Sequence, residues 1–219
     1  MSIPLTPKAS LTGEEFSLIL LAYSLGCFTS GYYWTRWRAG LDIRQQGSGN
    51  VGARNVGRVL GRPSFVVVLL LDMLKGVLAI SAATHFGLRP EAVVAVMVAV
   101  VAGHSWPIQL RFAGGKGIAT SLGALLIYDP LVTGILTFVF LCLWPFIRNF
   151  TLTGLMAFAL LPLAVCGCGL GNIEVAATSF LAVLVLITHR RNIREEFARI
   201  FPHRELKETA MHRRKDRVP

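Results

Sequence analysis

The sequence predicts an all-α fold: a polytopic membrane bundle of seven transmembrane helices, with the N-terminus outside, the C-terminus in the cytoplasm, and an interfacial C-terminal helix. Three observations carry this expectation. Of 219 residues, 53% are hydrophobic and the mean hydropathy is +0.58, whereas soluble domains are about 45–50% apolar. The apolar residues gather into runs long enough to span a bilayer. The basic residues, which leave a net charge of +10, cluster at 36–62, 111–116 and 190–217, each flanked by apolar runs. That is the positive-inside pattern, and it counts against nucleic acid as a partner.

A span needs about 20 mostly apolar residues. The runs are 16–34, 64–86, 91–110, 117–147, 152–169 and 172–188. Six spans would put the basic tail on the side of the N-terminus, although the first basic loop places the N-terminus outside. The run 117–147 is too long for one span and carries Tyr128-Asp129-Pro130 near its middle, where Asp-Pro stops a helix and starts a turn. Splitting there gives seven spans, the fourth of them short, and brings every basic cluster and Arg148 to the cytoplasmic side.

The first run follows a head carrying only Lys8, Glu14 and Glu15 and ends on bulky Tyr32-Tyr33-Trp34, so it reads as a first span rather than a cleaved leader. Past Thr188, Ile193, Phe197, Ile200 and Phe201 recur at helical spacing among charges, as in a helix lying in the headgroup region. Residues 203–219 read as a disordered basic tail. No internal repeat is found, so residues 1–219 form one expected domain. Cys27, Cys142, Cys166 and Cys168 lie in or beside apolar runs without metal-binding spacing and are expected as reduced packing residues. Neither a metal nor a cofactor is called for.

Two loops carry glycine-rich motifs. The first, Gly47-Ser48-Gly49-Asn50-Val51-Gly52-Ala53-Arg54-Asn55-Val56-Gly57-Arg58, formally contains G-x-G-x-x-G. A dinucleotide fold would need a preceding strand, whereas an Arg-rich membrane loop precedes here. What remains is a loop whose glycine N–H groups can converge on an anion, with Ser48, Asn50, Asn55 and Arg58 as added donors. The second reads Gly103-His104-Ser105-Trp106-Pro107, then Phe112-Ala113-Gly114-Gly115-Lys116-Gly117-Ile118-Ala119-Thr120. Its Gly-Gly-Lys-Gly stands where a helix begins, joining a Lys charge to free N–H groups and the helix dipole. Gly117, not Ser or Thr, follows Lys116, so this is not a nucleotide-binding P-loop.

Asp72 and Lys75 stand three apart inside the second span. Each costs about 2.5–3.5 kcal/mol at a helix centre, so partners in the bundle interior are expected. They read either as a structural ion pair or as the wall of an anionic-ligand pocket. His189 and Asn192, also three apart, close the last span and can share one cytoplasmic cavity.

Taken together, Gly-Ser-Gly-Asn-x-Gly-x-x-Asn-x-x-Arg at 47–58, Asp-x-x-Lys-Gly at 72–76, Gly-His-x-Trp-Pro with Gly-Gly-Lys-Gly-Ile-Ala-Thr at 103–120, and His-Arg-x-Asn-Ile at 189–193 resemble the bacterial acyl-phosphate-dependent glycerol-3-phosphate acyltransferases, the PlsY family. The resemblance runs in order from about Gly26 to Arg194. It implies a seven-span membrane enzyme of phospholipid synthesis in the bacterial inner membrane, with its active site facing the cytoplasm. Such an enzyme moves an acyl chain from acyl phosphate to the 1-hydroxyl of glycerol 3-phosphate. By resemblance, Ser48, Arg58, Lys116, His189 and Asn192 are the expected catalytic residues, and Gly49, Asn50, Asn55, Lys75, Gly114, Gly115, Gly117, Arg148 and Thr151 the expected phosphate contacts. The expected partners are acyl phosphate, glycerol 3-phosphate and membrane lipids, with the chain acting as a monomer.

No His is followed five residues on by Asp: the positions after His85, His104, His189, His203 and His212 are Pro90, Gln109, Arg194, Glu208 and Arg217. A His-x4-Asp acyltransferase mechanism therefore lacks its base. The chain also departs from the family pattern. Arg54 stands for the usual Thr, Gly154 replaces a Ser at the end of an Arg-Tyr-x-Ser-Leu-x-Ser motif, and Glu195 and Phe201 replace an Arg and a Glu. These changes fit a paralogue with a different acceptor or donor. Glycine-rich loops beside intramembrane Asp72 and Lys75 also fit a transporter of a phosphorylated metabolite.

Overall fold

A computed structural model describes residues 10–200, with 195–197, 199 and 200 described by backbone alone, and among these the regular structure is entirely helical. Helix α1, Gly13–Cys27, opens on Thr12. The Thr12 hydroxyl accepts from the Glu15 N–H at 3.2 Å, and the Glu15 carboxylate accepts from the Thr12 N–H at 2.9 Å. This reciprocal cap satisfies two donors that a helix start otherwise leaves bare.

The run expected as one first span is interrupted at Phe28-Thr29 and resumes as α2, Ser30–Ala39. Broken backbone at membrane depth is tolerated only where other groups satisfy it. Here Lys75 Nζ donates to the Gly26 and Phe28 carbonyls at 3.3 and 3.1 Å, and Gln109 Nε2 donates to the Cys27 carbonyl. No Pro or Asp marks this break, and the groups that satisfy its carbonyls come from positions distant in sequence.

The chain continues through α3 (Ala53–Leu60), α4 (Arg62–His85), α5 (Pro90–Ser105), α6 (Ile118–Tyr128), α7 (Pro130–Ile147), α8 (Phe150–Gly167), α9 (Asn172–Thr188) and α10 (Arg190–Ile200). Gly13–Ala39, Arg62–His85, Pro90–Leu110, Pro130–Ile147 and Phe150–Gly167 are each long and apolar enough to cross a membrane. The chain is therefore an integral membrane protein of all-helical build. Helix α6 has 11 residues, about 16 Å at 1.5 Å per residue, half of a hydrocarbon core of about 30 Å. The stop expected at Asp129 is present, and the Asp129 carboxylate caps α7 by accepting from the Leu131 N–H at 2.8 Å. Helix α10 covers most of the expected surface helix, whereas Phe201 and the basic tail at 203–219 lie outside the described residues.

Helix α5 occupies the centre, packed on α1, α4, α6 and α9, while α8 lies between α7 and α9. Two crossings are very close. Gly26 of α1 meets Gly103 of α5, and Gly76 of α4 meets Gly123 of α6, so a methyl at any of the four would run into partner backbone. Small residues permit this approach in a bilayer, where dispersion contacts rather than water exclusion hold helices together. All four cysteines are free; Cys27 is buried, whereas Cys142, Cys166 and Cys168 lie on the bundle surface.

Hydrogen bonds gather the connections at one end of the bundle. Arg44 Nη1 donates to the Leu110 carbonyl at 3.3 Å, Arg54 donates to the Thr151 hydroxyl, and the Thr188 hydroxyl donates to the Lys116 carbonyl at 2.9 Å. The connections after α2, α5, α7 and α9 thus come together. At another point, Arg89, just before α5, pairs with Glu15 in the first turn of α1 at 2.8 Å.

Candidate phosphate-binding site

The first loop is organised around Asn55, which is 2% exposed. Its carbonyl oxygen accepts from the Ser48 N–H at 2.9 Å, and its amide nitrogen donates to the Gln46 and Asn50 carbonyls, each at 2.9 Å. The Asn50 side chain accepts from the Gly52 N–H at 2.7 Å, and the Gly49 N–H bonds the Gln46 carbonyl at 3.0 Å. The loop therefore uses its own N–H groups to hold its shape. The Gly49 N–H and the Asn55 amide, expected to face an anion, are thus engaged within the loop. Ser48 and Arg58 are exposed, and among the described residues neither side chain makes a hydrogen bond.

The second loop doubles back onto the end of α5. The Gly114 N–H bonds the Ser105 carbonyl at 3.2 Å and the Gly115 N–H bonds the His104 carbonyl at 3.0 Å. These N–H groups too are engaged within the protein, and neither position has room for a side chain. A carbon at Gly115 would fall on the His104 ring, and one at Gly114 would meet the His104 and Ser105 carbonyls. Gly117 (φ 81°) then turns the chain into α6, whose first N–H groups, lacking partners in the preceding turn, carry the positive end of the helix dipole.

Lys116 stands on this turn with its ammonium on the Asn192 side-chain oxygen and its carbonyl on the Thr188 hydroxyl. The second loop and the last motif, 76 residues apart at this contact, are thereby one site. Thr188 is a positioning residue that no sequence motif singled out. His189, just past α9 and 3% exposed, holds its Nδ1 2.8 Å from the Val185 carbonyl. A carbonyl only accepts, so Nδ1 carries the ring proton.

Burial, only partly offset by that hydrogen bond and reinforced by the Lys116 charge, pushes the His189 pKa down to about 4. The ring is therefore neutral at pH 7, with an unprotonated Nε2. Because the folded value lies below the unfolded value of about 6.5, the unfolded chain takes up this proton first. His189's share of stability is present above about pH 6.5 and is lost as pH falls toward 4. The difference in unfolding temperature between wild type and His189→Gln should narrow across that window, and a difference independent of pH would contradict this account.

The α7–α8 connection brings Arg148, Thr151 and Arg54 into this end of the bundle. Arg148 is exposed, with φ 48°, and donates to the Pro145 carbonyl at 3.2 Å. Asn149 caps α8 by accepting from the Thr151 and Leu152 N–H groups at 3.1 and 3.2 Å. The Thr151 hydroxyl is the acceptor for Arg54, so the residue that departs from the family pattern ties the first loop to α8. Around Gly154 nothing lies within 4 Å of a built side-chain carbon. Gly154→Ser is expected to fold as well as wild type, with a gain of about 0.5 kcal/mol from helix propensity; thermal unfolding in detergent checks this.

Under the second loop lies a buried charged cluster. Asp72 and Lys75 of α4 and His104 of α5 are 2%, 3% and 3% exposed. Lys75 Nζ lies 3.0 Å from Asp72 Oδ1 and 2.6 Å from His104 Nδ1, and Ser30 Oγ donates to Asp72 Oδ1 at 3.0 Å. With the two carbonyls of the α1–α2 break, the Lys75 ammonium is fully occupied within the protein. Of the two readings of Lys75, this arrangement is that of a structural ion pair, with the expected phosphate contact made by none of these bonds.

A membrane bundle that gathers glycine-rich turns, a lysine and a neutral histidine at one end belongs to the class of enzymes acting on phosphorylated substrates at a bilayer surface. Residues 16–199 match the glycerol-3-phosphate acyltransferase family, and the chain belongs to that family, as its motifs implied. It is 42% identical over 182 residues to glycerol-3-phosphate acyltransferase 1 of Desulfitobacterium hafniense, covering 83% of this chain and 90% of that one. It is 40% identical over 180 residues to the glycerol-3-phosphate acyltransferase of Syntrophomonas wolfei, covering 82% and 92%. Its structure is similar to that of PlsY, an integral membrane glycerol 3-phosphate acyltransferase, in its glycerol 3-phosphate form. The TM-score is 0.77 at 32% identity, over 85% of this chain and 93% of that one. The lysophosphatidic acid form of PlsY gives 0.75 at 31% identity.

Proposed function

We propose that the chain transfers an acyl group from acyl phosphate to the 1-hydroxyl of sn-glycerol 3-phosphate, releasing 1-acyl-glycerol 3-phosphate and inorganic phosphate. The observation that carries this reading is the union of Lys116, Thr188, His189 and Asn192 at the start of α6. It sets a cation and helix N–H groups for a phosphate beside a neutral ring for a hydroxyl. Both substrates carry phosphate.

In the reaction the hydroxyl oxygen bonds to the acyl carbon and the carbon–oxygen bond to phosphate breaks, with the electron pair leaving on phosphate. The hydroxyl proton passes to that departing phosphate. Acyl phosphate is a mixed anhydride with a good leaving group, so positioning and charge stabilisation suffice. Lys116 and Arg58 neutralise the phosphates, Ser48 and Asn192 orient them, and His189 presents its Nε2 to the acceptor. Gly117, Arg148, Thr151 and the Asn50 amide line the same end, while Asn55 and Lys75 act through the loops they hold.

The bundle crosses the bacterial inner membrane seven times, with α6 as the short fourth crossing, the N-terminus outside and the site facing the cytoplasm. The single domain works as a monomer among membrane lipids. The gathering of four connections at one end supports this topology. Purified protein in lipid nanodiscs, given acyl phosphate and glycerol 3-phosphate, should release phosphate in step with 1-acyl-glycerol 3-phosphate. No release with this pair would overturn the proposal.

A further inference from the structure

Lys75, paired with the Asp72 carboxylate at 3.0 Å, is an ammonium with three protons and no lone pair. Its contact with His104 Nδ1 at 2.6 Å therefore requires the ring nitrogen to accept. Asp72 Oδ1 stands 3.6 Å from the same nitrogen, too far to compete as an acceptor. Two buried cations would repel at that separation, so His104 is neutral and its proton sits on Nε2. That is the tautomer opposite to the one the Val185 carbonyl sets on His189.

His104 Nε2 points at the second loop. A side-chain carbon built on Gly115 would fall on the imidazole edge, with Nε2 its nearest atom. Among the described residues no acceptor meets this N–H. His104 as a whole is 3% exposed, yet Nε2 is not one of the sealed, partnerless polar atoms of the interior; it lies against Gly115, next to Lys116, where a ligand at the turn can meet it.

We propose that His104 is a further substrate-binding residue, donating its Nε2–H to the phosphate held between Gly115 and Lys116, with Lys75 the positioning residue that fixes this tautomer. The proposal rests on the phosphate-binding role of the second loop. The chemistry is that of a phosphate monoester or acyl phosphate, and two Michaelis constants tell these apart.

Inorganic phosphate is titrated into the full-length protein in detergent, as wild type, His104→Phe, His104→Gln and Lys75→Met. Thermal unfolding is recorded for each. A hydrogen bond to a charged ligand is worth enough that His104→Phe should weaken phosphate binding about 10- to 100-fold. His104→Gln, which keeps an amide N–H near Nε2, should recover most of it. In wild type with 15N-labelled histidine, one ring N–H, absent from His104→Gln, should shift on adding phosphate, and Lys75→Met should lose its single tautomer. This measurement decides the matter even if His104→Phe fails to fold.

The KM that rises in His104→Gln relative to wild type, for acyl phosphate or for glycerol 3-phosphate, names which phosphate His104 meets. Unchanged phosphate binding in His104→Phe, equal losses in Phe and Gln, a ring N–H blind to phosphate, or neither KM rising would each overturn the proposal. A wild-type protein that turns over substrate but takes up no phosphate would overturn it while leaving acyl transfer standing. A wild type that does neither removes both.

Discussion

Replacing Lys116 by Ala is expected to lower kcat/KM for acyl transfer by about 100- to 1,000-fold, the usual scale for removing one preorganised charge-stabilising donor. The expectation follows from where the ammonium is held. Its backbone is fixed by the Thr188 hydroxyl, its head by the Asn192 oxygen, and the following turn is the start of α6. A cation tethered there adds to the helix dipole in a half-buried setting where water screens it weakly. Asn192→Ala, which leaves the charge but not its tether, should fall less, and the Lys116→Arg protein should sit between. Steady-state phosphate release on the three variants measures this. Equal activity of Lys116→Ala and wild type would remove the second loop from the chemistry.

Asp72→Ala is expected to give the largest loss of stability. It leaves the Lys75 ammonium, 3% exposed, without its carboxylate, and breaking a buried pair on one side costs about 3–5 kcal/mol. Removing both charges is a different experiment. Asp72→Leu with Lys75→Leu restores apolar packing, yet it strands the Gly26 and Phe28 carbonyls that Lys75 now satisfies. The double variant should therefore recover part of the loss, not all. Denaturant unfolding in detergent reads the difference, and a single variant as stable as wild type would show the pair to be ornamental.

The membrane bundle was legible because its signals are local. Apolar runs of set length, basic clusters and Asp129-Pro130 each act within about one helical turn to one span, and Asp129 caps α7 as its residue type implies. The break at Phe28-Thr29 was not legible. The side chains that satisfy it, Lys75 and Gln109, stand more than 40 residues away. The glycine loops were legible as loops but not in the destination of their N–H groups. Nothing in Gly-Ser-Gly-Asn says that Asn55 will collect the Ser48 N–H, or that Gly115 will bond the His104 carbonyl. For the same reason His104 was visible only as a letter in a motif. Its role depends on a lysine 29 residues earlier and on a glycine that must lack a side chain. Arg54, a departure from the family pattern, acquires a partner only when α8 is placed beside it.

The most direct test of acyl transfer by positioned phosphate compares donors on one preparation. Protein in lipid nanodiscs with glycerol 3-phosphate is given acyl phosphate in one arm and acyl-CoA of the same chain in the other, and 1-acyl-glycerol 3-phosphate is quantified. Acyl phosphate should support turnover with one phosphate released per product, and acyl-CoA should not. Turnover from acyl-CoA at a comparable rate would contradict a site built to recognise and release phosphate.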